Sequence, residues 1–179
     1  MKLKRFNQFI AESKVNESAS ATVEESAFLV DGAVYLVGEV ELEIETEYDE
    51  PDRDVGHYGG YYAESWSIYG IDNVYKVTDP DIVSKIEDIK NQSGELSTMG
   101  FSDLNINDQI EDLIFNADSE EVTGPELVAL DKRITELDKA GQLVDLTGTF
   151  DKRCDAAVER AMEDYEDDGP DYDYDRDDY

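Results

Sequence analysis

The sequence predicts an α+β fold, a small antiparallel sheet of about three to four strands followed by about four helices. In the first half of the chain, apolar residues alternate with polar ones, which is the period of a half-buried strand. From Asp79 onward they recur every three or four residues, as on amphipathic helices. We therefore expect one domain over residues 27–162, between a disordered N-terminal linker and an acidic C-terminal tail.

The first two strands are predicted to form a hairpin. Asp31-Gly32 follows the apolar run Phe28–Val30 and is typical of a two-residue hairpin turn. The next strand shows the clearest alternation in the chain, with apolar residues at Val34, Leu36, Val40, Leu42 and Ile44. Its intervening acids are Glu39, Glu41, Glu43, Glu45 and Glu47. One face should therefore be apolar and the other a row of carboxylates, the glutamate ladder.

The pattern then predicts a loop and the end of the sheet. Residues 48–60 are rich in Pro, Gly and Asp, which favours a loop. Tyr61–Ile71 is predicted as a long strand, because Trp66 and Ile68 fall on one side of it. Asp72-Asn73 indicates a turn into a short last strand over 74–77.

Four helices are predicted after the sheet. The first begins at Asp79-Pro80 and ends before a loop over 93–100, since Asp is a good N-cap and Pro suits the first turn. The second helix is indicated by apolar spacing over 107–117. Gly124-Pro125 marks the start of the third helix and Gly141 marks its end. Thr149 is the predicted cap of the fourth helix, which reaches Met162.

The two flanks have biased compositions. Residues 13–26 are rich in Ser, Ala and Glu and are predicted to be a linker. Residues 163–179 hold ten acids, one Arg and four Tyr, too few apolar groups to order themselves. The acids near the end could extend the row of charges formed by the glutamate ladder. They are Asp171, Asp173, Asp175, Asp177 and Asp178.

The charge balance restricts the partners. The chain has 46 acidic and 15 basic residues and a net charge of −31, which argues against direct binding to nucleic acid. It favours basic proteins, including proteins that themselves bind DNA. The single Cys154 excludes an intrachain disulfide, and we expect it to be a buried apolar residue. No apolar run approaches the ~20 residues of a membrane span, so no membrane association is expected.

The sequence shows no motif for catalysis, a cofactor or a metal. The loop acids Asp49, Glu50, Asp52 and Asp54 with His57 suggest a cation site, but an EF-hand loop needs Gly at position 6 and Glu at position 12. Val55 and Tyr61 occupy those positions. With one His and one Cys, neither a His-based triad nor a zinc cage can be built. We therefore expect no enzyme activity, no cofactor and no metal.

The glutamate ladder has two interpretations. It could be a solvated outer face that prevents pairing with other chains, because charged side chains on exposed strands have that effect. It could also be an array of charges like that of DNA phosphates, since same-face residues on a strand lie about 6.6–6.8 Å apart. A protein built to hold DNA could then bind this face instead.

The first thirteen residues, MKLKRFNQFIAES, form a basic amphipathic segment on an acidic chain. On a helix Phe6 and Ile10 share an apolar side, with Phe9 beside them. This peptide could dock on its own domain. It also resembles the capsid-targeting peptide of internal head and core proteins in tailed phages of the T-even type. The resemblance implies cleavage by the prohead protease after Glu12, since Ile10-Ala11-Glu12 matches its Ile/Leu-any-Glu pattern, leaving Ser13 as the new N-terminus.

Two further comparisons bear on this resemblance. A second match to the cleavage pattern, Ile134-Thr135-Glu136, lies in a predicted helix, where a protease would not reach it. In charge, the chain is closer to the acidic prohead core proteins of these phages than to their basic internal proteins. The region from Val40 to Ala117 also loosely resembles small phage proteins of unassigned function.

The leading hypothesis is a phage head-associated protein, internal or in the prohead core. Its partners would be capsid or core proteins and the prohead protease, and its location the virion head, with the host cytoplasm during infection. The alternative is an acidic DNA mimic that inhibits a basic host DNA-binding protein of restriction or defence. The two are compatible, because an internal protein can be ejected with the genome. A core or scaffolding component with no later role is a third possibility.

Overall fold

The computed structural model describes residues 18–51, 54, 56, 59–98 and 104–167 of the 179-residue chain. The elements, in chain order, are β1 (Ser18–Val30), β2 (Ala33–Asp49), β3 (Gly60–Val77), α1 (Pro80–Thr98), α2 (Leu104–Phe115), β4 (Ser119–Glu121), α3 (Pro125–Lys139), β5 (Val144–Asp145) and α4 (Phe150–Asp167). The α+β class is thus confirmed, with four helices in the described part of the chain.

The sheet has five antiparallel strands in the order β4-β3-β2-β1-β5. Three long strands form its centre, and the short strands β4 and β5 extend its two edges. The prediction of three to four strands is wrong in number. Since β4 has three residues and β5 has two, neither is long enough to show a period in the sequence.

The predicted linker over 13–26 is wrong for the described part of that range. Ser18 to Ser26 belong to β1 and pair with β2 from Ser18 opposite Glu45 to Ser26 opposite Val37. Ala19 and Val23 are buried, while the hydroxyl residues between them are exposed. The alternation is that of a strand, but the side chains are so small that the composition resembles a linker.

Three other boundaries differ from the prediction. Asp72-Asn73 is not a turn, because β3 continues through it to Val77. Helix α1 runs through the expected start of a loop at residue 93 and ends at Thr98. Helix α4 ends at Asp167, so the first residues of the predicted tail, 163–167, are helical. Helix formation is cooperative, so a helix that is already nucleated can propagate through a few residues with weak local signals.

Two hydrophobic clusters lie on opposite sides of the sheet. The first joins β1, β2 and β3 to helices α3 and α4, with Phe28, Val40, Leu42, Ile68, Ile134 and Cys154 among its members. The second joins the sheet near the β1–β2 turn to helices α1 and α2, with Ala27, Val34, Val77, Ile86, Ile110 and Leu146 among its members. The second cluster therefore covers only one end of the sheet.

A transverse kink line crosses the three long strands where the second cluster ends. The register places Glu25 of β1, Gly38 of β2 and Asn73 of β3 side by side. Glu25 and Asn73 have positive φ angles of 43° and 52°.

An extra residue in each strand accompanies this line. Successive residues of each strand that face α3 and α4 are three apart here instead of two, namely Val23 and Ser26, Val37 and Val40, and Ile71 and Val74. The sheet thus has a near half with both faces covered and a far half with one.

The hairpin turn between β1 and β2 is confirmed. Asp31 and Gly32 have φ angles of 49° and 80°, as a two-residue turn with two left-handed residues requires. Two nitrogens of the Arg133 guanidinium on α3, Nε and Nη2, donate to the Asp31 carboxylate at 3.0 Å. This exposed bidentate pair lowers the pKa of Asp31 and joins the turn to α3.

Substitution of Gly38 tests the kink line. A Cβ atom there would lie 3.0 Å from the Cβ of Asn73 and 3.4 Å from its carbonyl oxygen. Since both residues are held by strand pairing, we expect Gly38→Ala to lower the free energy of unfolding by about 1–3 kcal/mol in urea titrations. Gly94→Ala is the control, because its Cβ meets nothing within 4 Å and Ala in a helix is favoured by ~1 kcal/mol. Equal stability of Gly38→Ala and wild type would contradict the close approach.

Candidate functional site

The outer face is the surface of the far half of the sheet on the side opposite α3 and α4. Its central row is the glutamate ladder on β2, and all five glutamates are exposed. The buried residues between them are Val40, Leu42 and Ile44. The structure thus places all five glutamates that the sequence singled out on one solvent-facing surface.

Small polar residues flank the ladder on both neighbouring strands. On β1 the residues paired with Glu45, Glu43 and Glu41 are Ser18, Ser20 and Thr22. On β3 the residues paired with the same glutamates are Ser65, Ser67 and Gly70. Because these neighbours are short, they leave the three carboxylates open to solvent.

Residues of β3 donate hydrogen bonds to two of the carboxylates, and a third lies over β3. Ser65 Oγ donates to Glu45 Oε2 at 2.7 Å, and Tyr62 OH donates to Glu47 Oε2 at 2.6 Å. Glu41 Oε2 lies over Gly70, where an added Cβ would be 3.2 Å from it. The hydrogen bond to Glu47 raises the pKa of Tyr62 to about 12, because loss of its proton would place two negative charges together. The ladder therefore leans toward β3.

The described strand segments of the outer face carry negative charge and no basic residue of their own. The strand segments that form it, residues 18–25, 39–49 and 60–72, contain neither Lys nor Arg. Like charges about 6.7 Å apart repel by roughly 0.6 kcal/mol per neighbouring pair in water before salt screening. Binding of a cationic surface would relieve that repulsion.

Arg153 joins the kink line to helix α4. Its Nη2 donates to the carbonyl oxygens of Glu24 and Glu25, and its Nη1 donates to Thr147 Oγ1 at 3.3 Å. Thr147 Oγ1 accepts the backbone N–H of Ala27 at 3.1 Å and donates to Asp145 Oδ1 at 3.1 Å. This network, the Arg153 clamp, holds β1 where the outer face begins. No local signal indicated it, since Thr147 and Arg153 lie 120 or more residues from their partners on β1.

Two adjoining cavities of about 320 and 330 Å³ lie beside the Arg153 clamp. Both are lined by Lys90, Asp145, Gly148 and Thr149. Burial raises the pKa of Asp145 and lowers that of Lys90. Asp145 Oδ2 is buried and has no hydrogen-bond partner among the described residues. None of the candidate site residues that the sequence singled out lines these cavities.

The cysteine, metal and membrane expectations can be compared with the described residues. Cys154 is a buried free cysteine, as predicted, and burial raises the pKa of its thiol to about 12. Within the described ranges, no group of three or more His, Cys, Asp and Glu side chains could hold a metal ion. None of the helices formed by these residues is long and apolar enough to cross a membrane.

Several predicted site residues lie outside the described residues. They are the targeting and cleavage residues Phe6, Phe9, Ile10, Ala11, Glu12 and Ser13, the tail acids Asp171, Asp173, Asp175, Asp177 and Asp178, and His57 with Asp52 of the β2–β3 loop.

Comparisons of the chain with protein-family models, with curated proteins and with solved structures found no match.

The raised pKa of Asp145 predicts how stability depends on pH. A carboxyl group whose pKa is raised in the folded state contributes to the free energy of unfolding in full below its ordinary pKa of 3.8. This stabilising contribution is lost as the pH rises through the pKa of the folded state. Asp145→Asn keeps an acceptor for Thr147 and cannot ionise. We expect its unfolding free energy, relative to wild type, to increase from pH 4 to pH 7.

Chemical denaturation across this pH range measures the difference. Asp88→Asn, at an exposed position on α1, makes the same change in net charge and serves as the control. Parallel stability curves for wild type and Asp145→Asn would show that Asp145 ionises without cost in the fold.

Proposed function

We propose that the chain is a head-associated protein of a tailed phage and that its outer face binds a basic protein that otherwise holds DNA. The first part rests on the N-terminal peptide and the second on the geometry of the outer face. The observation that carries the proposal is the exposed row of five glutamates on strand segments that contain no basic residue. Short Ser, Thr and Gly residues lie beside Glu41, Glu43 and Glu45.

The boundaries of the fold support a separable targeting peptide. The first strand begins at Ser18, so a cut between Glu12 and Ser13 removes no residue of the described domain. The second match to the cleavage pattern is different. Ile134 is fully buried, and Ile134-Thr135-Glu136 lies inside α3, as predicted. A protease needs an extended substrate, so this second match is protected while the domain is folded.

Mass spectrometry of purified virions tests the targeting proposal. We expect peptides that begin at Ser13 and none that end at Glu136. Loss of three bases and one acid with residues 1–12 takes the net charge from −31 to −33. Glu12→Gln should leave the packaged chain uncut, whereas Glu136→Gln should be processed as wild type.

Three outcomes would count against this proposal. An intact N-terminus in mature heads would exclude the cleavage, and absence of the protein from virions would exclude a head-associated role. Abundance in proheads with depletion from mature heads would instead favour a scaffolding role without later activity.

The dimensions of the ladder support a phosphate-like array. Its carboxylates follow one strand at about 6.6–6.8 Å intervals. Successive phosphates of one DNA strand are about 7 Å apart once the winding of the backbone is added to the 3.4 Å rise. A protein surface that places Lys and Arg against phosphates could therefore contact several of these carboxylates in register. The hydrogen bonds from Ser65 and Tyr62 orient two of them in advance.

Charge reversal tests the binding proposal. The assay measures release of a fluorescent DNA duplex from individual host nucleoid and restriction proteins as this protein is added. We expect release from at least one of them. Direct binding of this protein to the same host protein should weaken as salt is added, because salt screens the ion pairs between them. The triple variant Glu41→Lys, Glu43→Lys and Glu45→Lys should reduce release at least tenfold.

The matched control reverses three exposed acids elsewhere. Glu87→Lys, Asp88→Lys and Glu95→Lys on α1 change the net charge by the same amount and leave the outer face intact. This control should release the duplex as wild type does. Equal loss in both triple variants would show that total charge, and not the ladder, governs the interaction.

A further inference from the structure

The outer face is an unpartnered sheet face in the part of the chain that the structure describes. The cluster that joins the sheet to α1 and α2 ends at the kink line, so no helix formed by the described residues packs over the glutamate ladder. At the end next to the β2–β3 loop, the face also presents an aromatic ring. Tyr62 lies there beside Glu47, and 46% of its surface is exposed. The face therefore suits an occupant that carries both basic and aromatic side chains.

The chain itself contains a segment of this composition. Its first twelve residues hold three bases, two phenylalanines and one acid. These are Lys2, Lys4, Arg5, Phe6, Phe9 and Glu12. Three of the 15 basic residues of this acidic chain thus fall within its first five positions. The charge of the segment is therefore complementary to that of the outer face.

The segment is attached beside the ladder. Ser18 is the first described residue, pairs with Glu45 and, like Glu45, is exposed. Adjacent strands are about 4.8 Å apart. Residues 13–17 join the segment to Ser18, and five residues reach up to about 17 Å. Residues 1–12 can therefore reach the ladder without any change in the described domain.

The other side of the sheet is already covered near this point. Tyr61 of β3 contacts Tyr48 of β2 with ring centroids 5.1 Å apart, and Tyr165 of α4 packs edge-on against Tyr61 at 5.3 Å. Helix α4 thus covers that side of the sheet close to the level at which β1 begins. A segment that turns back from Ser18 onto the sheet therefore meets free surface on the outer face.

We propose that residues 1–12 bind the outer face of the uncut chain. The three bases lie against carboxylates of the ladder, where they relieve the repulsion between neighbouring glutamates. The two phenylalanines lie against the exposed ring of Tyr62. The order along the chain fits this placement, because the phenylalanines are nearer than the bases to Ser18, and Tyr62 lies at the end of the face where the chain arrives.

Attachment makes a weak contact sufficient. Exposed ion pairs are individually weak, so a separate peptide of this composition would bind the face poorly. A short linker holds its two ends at an effective concentration in the mM range. A contact whose Kd as separate molecules is about 0.1 mM is then open in only about one tenth of the chains. The apparent Kd of any other ligand of the face rises by the inverse of that fraction, about tenfold.

Cleavage after Glu12 would uncover the outer face, a consequence that rests on the proposed function. The cut separates all three bases from the domain, and the released peptide then acts only at its low bulk concentration. The face would be occupied during synthesis and head assembly and free in the mature head. The basic protein that the face binds would therefore be captured only after processing.

Zero-length cross-linking tests the contact without a partner or the protease. A carbodiimide joins a lysine amine to a carboxylate with which it forms an ion pair. In the dilute full-length chain we expect links from Lys2 and Lys4 to glutamates within 39–47 of the same chain, identified by mass spectrometry and reduced by salt. Links spread equally over the exposed acids of α1, links only between two chains, or no links from these lysines would overturn the proposal.

Neutralising the segment should open the face. The probe is a fluorescent peptide of eight lysines, titrated into the full-length chain. We expect Lys2→Gln, Lys4→Gln and Arg5→Gln together to lower the Kd of the probe at least fivefold, because the ladder is no longer occupied. The same three substitutions in the Glu41→Lys, Glu43→Lys and Glu45→Lys background should change the Kd less than twofold, since the face is then lost.

The matched control removes three exposed bases elsewhere. It carries Lys85→Gln, Lys132→Gln and Lys152→Gln on helices α1, α3 and α4. Its net charge equals that of the opened variant, and the Kd of the probe should change less than twofold. Equal gains in both variants would show that total charge governs the affinity and would overturn the proposal.

The lysine probe also separates this proposal from the proposed function. An opened face that binds the probe but no host DNA-binding protein would contradict only the proposed function. A host protein that binds the ladder equally well before and after neutralisation of the segment would contradict only the occupation of the face by residues 1–12.

Discussion

The rest of the structure depends on the kink line, at which three strands leave regular alternation at the same level. An extra residue in a single strand would break its register with its neighbours. Here all three strands gain one together, so the pairing of β1 with β2 and of β2 with β3 has the same register on both sides of the line. Gly38 allows this because its position leaves little space beside Asn73. The side of the sheet that faces α3 and α4 can thus stay apolar along the full length of the strands.

The kink line also decides where carboxylates can be placed. In the near half, helices α1 and α2 cover the second face, and a carboxylate there would lose several kcal/mol of hydration. In the far half that face meets water, and the first residue of β2 after Gly38 is Glu39, the first of the ladder. The Arg153 clamp holds β1 at the same level. The division of the sheet, the helix packing and the acidic surface are therefore consequences of one local irregularity.

The sequence predicted those parts of the fold whose signal is local. The alternation in β2, the Asp-Gly turn and the helical spacings are each contained in a few successive residues, and so is the glutamate ladder. The first half of β1 was missed because Ala and Ser contribute little apolar area to the pattern. Asn73 has a positive φ angle, which suits a kink within a strand as well as the turn that was predicted there. The strands β4 and β5 and the Arg153 clamp depend on partners far along the chain, which no short window contains.

The structure bears differently on the two interpretations of the ladder. Solubility alone requires exposed charge, which freely moving glutamates supply. Here Ser65 and Tyr62 restrain Glu45 and Glu47, although restraining a Glu side chain costs up to about 2 kcal/mol of rotamer entropy. Neighbouring carboxylates held on one strand also repel, and Glu favours strands poorly. These costs are offset by the fully buried Leu42 and Ile44 on the opposite side of the same strand. Two neighbouring carboxylates with restrained directions suit a complementary pair of basic side chains, and this restraint supports the binding function that we propose.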